Sequence, residues 1–310
     1  MGSFGENRGR FVFLGFFAAL GAAILGGLLP SVSKPLLDLV NPLLFTTIVT
    51  FGPAILFTPV AMQSKENKHI RKQGYAILAA TAVASGLVAP YIYFVGLQES
   101  TASDAALLGN GEMVFTVLIA TMFFGERLGR KGYLALMLLG FGIIAVITDL
   151  QFSSTSLDLA APGHVLILAA TFLWGVDNNV TSAVTERVDV AKIIQIKSTI
   201  SGVGLFVISY FAHALVIHSV SDLIEVFLFG IIVFSGTAFL SIQSLKRLGP
   251  ITTTIVFPMT SVFGLIFAYV LLHENITVLQ IGSVIVILLG IYLLTRPGAV
   301  IREGINLEQI

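Results

Sequence analysis

The chain has 310 residues, 56% of them hydrophobic and only 11% charged, with a mean hydropathy of +0.95, which excludes a water-soluble globular domain. Lys plus Arg and Asp plus Glu number 17 each, and that balance argues against a nucleic-acid partner, which needs a basic surface. There is no cysteine for a disulfide, a thiolate centre or a nucleophile, and the five histidines (His69, His164, His213, His218, His273) lack metal-ligand spacing, so neither metal nor cofactor is expected.

Apolar stretches fall at 11–33, 43–62, 73–96, 102–124, 131–149, 162–184, 190–213, 223–244, 250–272 and 277–295. At roughly 20 residues per crossing they predict ten transmembrane helices, which leave only short connections and tails. The first stretch follows Arg8 and Arg10, as a signal peptide would, but it is long for a signal core and is expected to be retained. The Ser-rich segment 151–161 reads as a linker between a first five-helix unit, 1–150, and a second, 162–296, with 297–310 as a tail.

Laid on itself at an offset of 148 residues, the sequence aligns Gly27 with Gly175, Val32 with Val180, Phe115 with Phe263, Ala120 with Ala268, Glu126 with Glu274 and Gly142 with Gly290 without a gap. Five is an odd number of crossings, so the second unit must enter the membrane from the opposite side, as in the inverted repeats of secondary transporters. The expected fold is an all-α polytopic membrane protein of ten transmembrane helices in two inverted five-helix repeats. Charge agrees. Alternate connections hold the basic residues, among them Arg8, Lys65, Lys68, Arg127, Arg130, Lys246 and Arg296, while the others hold only Lys34 among many acids. By the enrichment of Lys and Arg on the cytoplasmic side, both termini are expected there, in a plasma membrane.

Several of these residues carry a likeness. Gly27, Val32 and Lys34, with Trp174, Gly175, Asn178 and Val180, resemble a WG-x-N-x-x-x-x-K signature. Ser100-Thr-Ala-Ser-Asp-Ala-Ala-Leu-Leu-Gly-Asn leads through Glu112 and Phe115 to Gly125-Glu126-Arg127-Leu128. Leu248-Gly-Pro-Ile, Pro258, Phe263 and His273-Glu274-Asn275 form a second copy. Together they resemble the EamA type of the drug/metabolite transporter superfamily over nearly the whole chain. Gly26 stands where a Trp is usual, Ser182 where a second Lys is usual and Met113 where a Pro is common. The resemblance implies a ten-helix transporter with a central cavity, and its members move amino acids, other metabolites or drugs.

Polar residues inside the spans are the candidate site. Glu112 lies mid-helix, where a charge facing lipid costs about 3 kcal/mol or more, so it should face the interior. There it either binds a proton or a cationic group, or is a buried carboxyl bonded to Asn110, a Tyr or a backbone carbonyl. Trp174, Asp177 and Asn178 are substrate-binding candidates, with helix cement as the competing role. Tyr91 and Thr260 complete the set, and Tyr93 and Thr50 are further possibilities for the lining. Lys197 is expected to snorkel rather than pair with Asp177. Pro30, Pro90 and Pro258 are candidate hinges, with Pro30 and Pro258 interrupting their helices.

No GxxxxGK[ST] loop is present to bind ATP. The functional expectation is therefore a secondary active transporter, most simply an exporter, of a small amino-acid-like or amphipathic compound by alternating access. Its partners are that solute and the bilayer, with a second copy of the chain as a candidate. The competing readings are an intramembrane enzyme that uses Glu112 or Asp177 on a lipid-like substrate, and a non-transporting membrane partner.

Overall fold

The structure is a computed structural model that describes residues 2–63, 72–123, 125, 127–148, 161–185, 188–217, 219–248, 253, 256, 259–294, 296 and 298–301. The expected linker, 151–161, falls almost wholly outside the described residues, as do Pro258 and residues 302–310.

Ten helical rods follow one another among the described residues. They are α1 (Gly2–Leu36), α2 (Pro42–Gln63), α3 (Lys72–Thr81, Ala82–Val88 and Ala89–Gln98), α4 (Ala102–Leu108 and Gly111–Phe123) and α5 (Arg130–Thr148). The second series is α6 (Pro162–Thr185), α7 (Val190–Phe211), α8 (Val220–Phe229, Gly230–Phe234 and Ser235–Leu248), α9 (Met259–Leu272) and α10 (Val278–Leu294). Long apolar runs make them helices, because a backbone in hydrocarbon must bond to itself. Six contain continuous apolar stretches of 22 residues or more, enough to cross a bilayer. Starts are set by local chemistry: Thr101 accepts from Asp104 N at 3.0 Å and Asp189 from Ala191 N at 2.8 Å. Phe123, Phe211 and Val278 are largely exposed on the outside, while Thr46, Thr171 and Ser201 are buried within, the reverse of a soluble protein. One element lay beyond the all-α expectation: Arg127–Leu128 pairs antiparallel with Val300–Ile301.

The two five-helix units exchange helices rather than sitting side by side. In the first, α1 packs on α8 and α9; in the second, α6 packs on α3 and α4, the equivalent partners. The self-equivalent pairs α2 with α7, α4 with α9 and α5 with α10 close the bundle.

The offset of 148 holds at the level of atoms. A Cβ on Gly27 would lie 2.7 Å from the Phe263 Cβ, and one on Gly175 would lie 2.7 Å from that of Phe115. Gly142 faces Ile287 and the Ser283 carbonyl, while Gly290 faces Leu139 and the Ala135 carbonyl. Small residues let these backbones touch, and the same contacts are made twice. His273 has φ 53° and its equivalent Gly125 has φ 68°, so both ends of this helix pair turn through the left-handed region.

A wider, π-type turn also recurs, at Ala82–Val88 and at Gly230–Phe234. Pro90 follows the first, where a missing N–H would loosen the ladder, but no proline follows the second. What the two turns share is packing on the second helix of the other unit, Gly86 against Ser201 and Gly230 against Val49. Pro30 does not interrupt α1, which runs through it to Leu36. A proline costs one bond and its neighbours carry the helix onward.

Candidate functional site

A cavity of about 230 Å³ lies at the centre of the bundle. Glu112 from α4, Trp174, Asp177, Asn178 and Thr181 from α6, and Lys197 from α7 form one wall. Leu29 and Pro30 from α1, Phe234, Ile242 and Leu245 from α8, and Thr260 from α9 form the opposite one. Charge is confined to the first wall. At the offset of 148, Glu112 is equivalent to Thr260, Asp177 to Leu29 and Lys197 to Val49, so the scaffold's symmetry is broken at each ionisable position.

Glu112 faces the interior, as its cost in lipid requires. One carboxylate oxygen accepts from the Asn178 amide at 2.7 Å, not from Asn110, whose amide is spent on Leu107 O at 2.8 Å and on Ser261. Asn178 also donates to Thr116 Oγ1 at 3.2 Å, and Thr116 back-bonds to the Glu112 carbonyl at 2.6 Å. Helix contact and cavity chemistry divide between neighbours: Asn179, buried, donates to Thr116 O and Gly175 O at 3.0 Å each, whereas Asp177 and Asn178 line the cavity.

Lys197 does not snorkel. Its ammonium pairs directly with the Asp177 carboxylate, and Thr181 stands beside both, donating to Asp177 Oδ1 at 3.2 Å and accepting from Lys197 Nζ at 3.4 Å. An internal counter-ion removes the reason to reach for the interface.

Trp174 is held by a bond from Nε1 to the Ser85 carbonyl at 3.0 Å, one of the oxygens on the π-type turn of α3, and its ring lies 5.3 Å from that of Tyr93. Tyr93, buried, lines the cavity and Tyr91 does not. Two positions along a helix turn the side chain through about 200°, so the two tyrosines cannot share a face. Thr46, Thr47 and Thr50 all bond back to their own helix, at Pro42 O, Leu43 O and Thr46 O over 2.6, 2.7 and 2.8 Å, and of the three Thr50 lines the cavity. Pro30 lines the cavity and Pro90 is buried outside it.

One end of the bundle is sealed by polar ties between the units, which the sequence reading missed. Glu274, after α9, accepts from Ala102 N at 2.8 Å, Ser103 N at 2.9 Å and Ser103 Oγ at 2.6 Å, capping α4. Asp104 accepts from Gln280 at 2.9 Å and lies 3.5 Å from His164. Lys34 donates to Leu97 O at 3.2 Å and to Ser100 O, so it ties down the end of α3 and is not among the residues that line the central cavity. The recurrence of Glu126 and Glu274 after equivalent helices was the available signal. Toward the other end, the lining reaches Thr181, Ile194 and Leu245, close to the adjoining ends of α6, α7 and α8.

Among the described residues no group of His, Cys, Asp and Glu is arranged to hold a metal. What the arrangement offers is two carboxylates, one ammonium, the amides of Asn110 and Asn178 and the rings of Tyr93 and Trp174, together with aliphatic residues and the hydroxyls of Thr237, Ser241 and Thr260.

An uncharacterized transporter of Methanothermobacter thermautotrophicus is 28% identical over 302 residues, 92% of this chain and 87% of its own length. A probable amino-acid metabolite efflux pump of Escherichia coli is 27% identical over 205 residues, 61% of this chain and 66% of its own. A solved crystal structure superposes with a TM-score of 0.66 at 16% identity, covering 93% of this chain and 98% of that one, a likeness of fold. The EamA-like transporter family model matches twice, over residues 13–148 and 161–296. The two matches fall on the two halves of the repeated bundle, and the chain belongs to the EamA-like transporter family.

Proposed function

We propose that the protein exports a small zwitterionic, amino-acid-like or amphipathic metabolite by alternating access, with Glu112, Trp174, Asp177, Asn178, Tyr93 and Thr260 contacting the solute. The observation that carries this reading is the uneven cavity: Glu112, Asp177 and Lys197 come from α4, α6 and α7, while the lining residues of α1, α8 and α9 include no ionisable side chain and combine Leu29, Phe234, Ile242 and Leu245 with Thr237, Ser241 and Thr260. The solute's charged end faces Glu112 and the Asp177–Lys197 pair, and its apolar body lies on the opposite wall. A phosphorylated sugar or nucleotide is disfavoured, because it would need several cations and Lys197 is the one cationic residue among the described lining residues. The likeness to the Escherichia coli protein, a probable amino-acid metabolite efflux pump, supports both the solute class and the direction.

Glu112 is the group on which a proton rides. One oxygen is held by Asn178 and no bond to the other is seen among the described residues, which leaves it to meet a proton or a solute ammonium. Pro30, within the cavity wall, and Pro90, beside the π-type turn of α3, are the proposed hinges. The repeats take 1–150 and 162–296, joined by 151–161, and the basic connections and both termini face the cytoplasm across a plasma membrane, with a second copy of the chain as a candidate neighbour.

Flux in proteoliposomes containing this chain alone is the test. Labelled amino acids should leave vesicles faster than from protein-free controls, and a proton gradient should change the rate. Untargeted comparison of metabolites in cells lacking and overproducing the protein names the solute. Turnover of a lipid by purified protein without movement across the bilayer would replace this reading with an intramembrane enzyme.

A further inference from the structure

A carrier that moves solute in one direction must return empty, and on the way its cavity is closed at both ends and dry. An ion left unpaired in such a space is strongly unfavourable, because little solvent remains to screen it. The empty cavity contains an ammonium and a carboxylate that meet this demand together. Lys197 and Asp177 pair across α7 and α6 with side chains 11% and 15% exposed, and Thr181 bonds to both. Neither α1 nor α2 offers a similar pair, since the equivalent positions are Leu29 and Val49. The pair is therefore no requirement of the repeated scaffold.

The pair also has the charges of a zwitterion. A solute carboxylate can take the place of Asp177 at Lys197, and its ammonium can take the place of Lys197 at Asp177. Two ion pairs then stand where one stood and no charge is orphaned. We infer that Asp177 and Lys197 are each other's placeholders for the solute: they satisfy both charged subsites in the empty cavity and separate to receive a zwitterion, so that the unloaded carrier reorients and transport is net rather than exchange alone. This rests on the transporter reading and adds to it a binding polarity and a mode of turnover. Glu112, the other carboxylate in the described lining, is bonded to Asn178 and is kept out of the comparison by replacing it.

The chain has no cysteine, so paired cysteines carrying nitroxide labels can be introduced without first removing any. Labels at Glu99 and Val216, both exposed near the sealed end, report its opening by the distance between them. Measured in solute-free proteoliposomes in mildly alkaline buffer, E112Q should give two distance populations, sealed and open. E112Q with either K197Q or D177N should collapse to one population, and E112Q/D177N/K197Q, neutral again, should recover both. The exchanged pair D177K/K197D should also recover them, and if that variant does not fold the neutral triple variant decides alone. Two populations in either single-charge variant, one in the E112Q parent, or no recovery in the triple variant would overturn the inference. Because no solute is present, each of these results stands apart from flux, and loss of the placeholder role with flux intact would leave the transporter reading untouched.

Discussion

The crossing of α1 on α9 and that of α6 on α4 are built alike, yet they frame opposite halves of the cavity. Gly27 meets the backbone at Thr260 and Gly175 meets it at Glu112, with a Cβ 2.8 and 3.1 Å from the respective carbonyl oxygens. The backbone contact is the same and the side chain is not: threonine on one side, a carboxylate on the other. Duplication supplied a symmetric frame, and departures from symmetry supplied the chemistry. Helix packing in a membrane depends on close backbone approach, so glycines recur; on the proposed function, solute recognition needs a polarity, which Glu112, Asp177 and Lys197 supply by not recurring.

The sharpest way to break this comparison is to move the charge. E112T/T260E should insert and unfold like the native protein but lose flux by more than tenfold, because the transferred carboxylate leaves Asn178 and the Asp177–Lys197 pair on the other wall. E112Q should fold and lose the pH dependence of flux, and equal pH dependence in E112Q and native vesicles would remove the proton-carrying role. Alanine at Gly27 and at Gly175 tests the frame. Each should lower stability in detergent by about 1–3 kcal/mol through overpacking, and the two losses should agree, whereas a large inequality would separate the crossings. Glu274→Gln should cost about 0.5–2 kcal/mol as a weakened helix cap, read from thermal unfolding, and make the sealed end more accessible to a cysteine reagent. The smallest contrast is between tyrosines: Tyr93→Phe should alter flux modestly and Tyr91→Phe not at all.

Much of the frame was legible in the residues. Apolar runs fixed the ten rods because hydrocarbon leaves a chain few choices, and the offset read from Gly27 with Gly175 and Gly142 with Gly290 reappeared as paired contacts. Glu112, Trp174, Asp177 and Asn178 were legible for a related reason: a polar group at membrane depth must be brought inside. The failures were of direction. Whether Tyr91 or Tyr93 turns inward depends on helix rotation, which the near-uniform apolarity of α3 does not encode, and the π-type turn at 82–88 shifts that rotation further. Lys197 was misjudged because a long side chain near a helix end usually reaches out, and only the packing of α7 on α6 brings Asp177 within range. The capping role of Glu274 is not legible in the sequence, since its partners at Ala102 and Ser103 lie 172 and 171 residues away.

No residue of α5 or α10 belongs to the described cavity lining. These two helices pack on each other through Gly142 and Gly290, and the short strand pair joins the approach to one with the exit from the other. On the alternating-access reading proposed above, they form a mast beside the helices that line the cavity, with little to gain from moving when access changes sides. A probe fixed there gives a stationary origin against which the travel of the other eight helices can be charted.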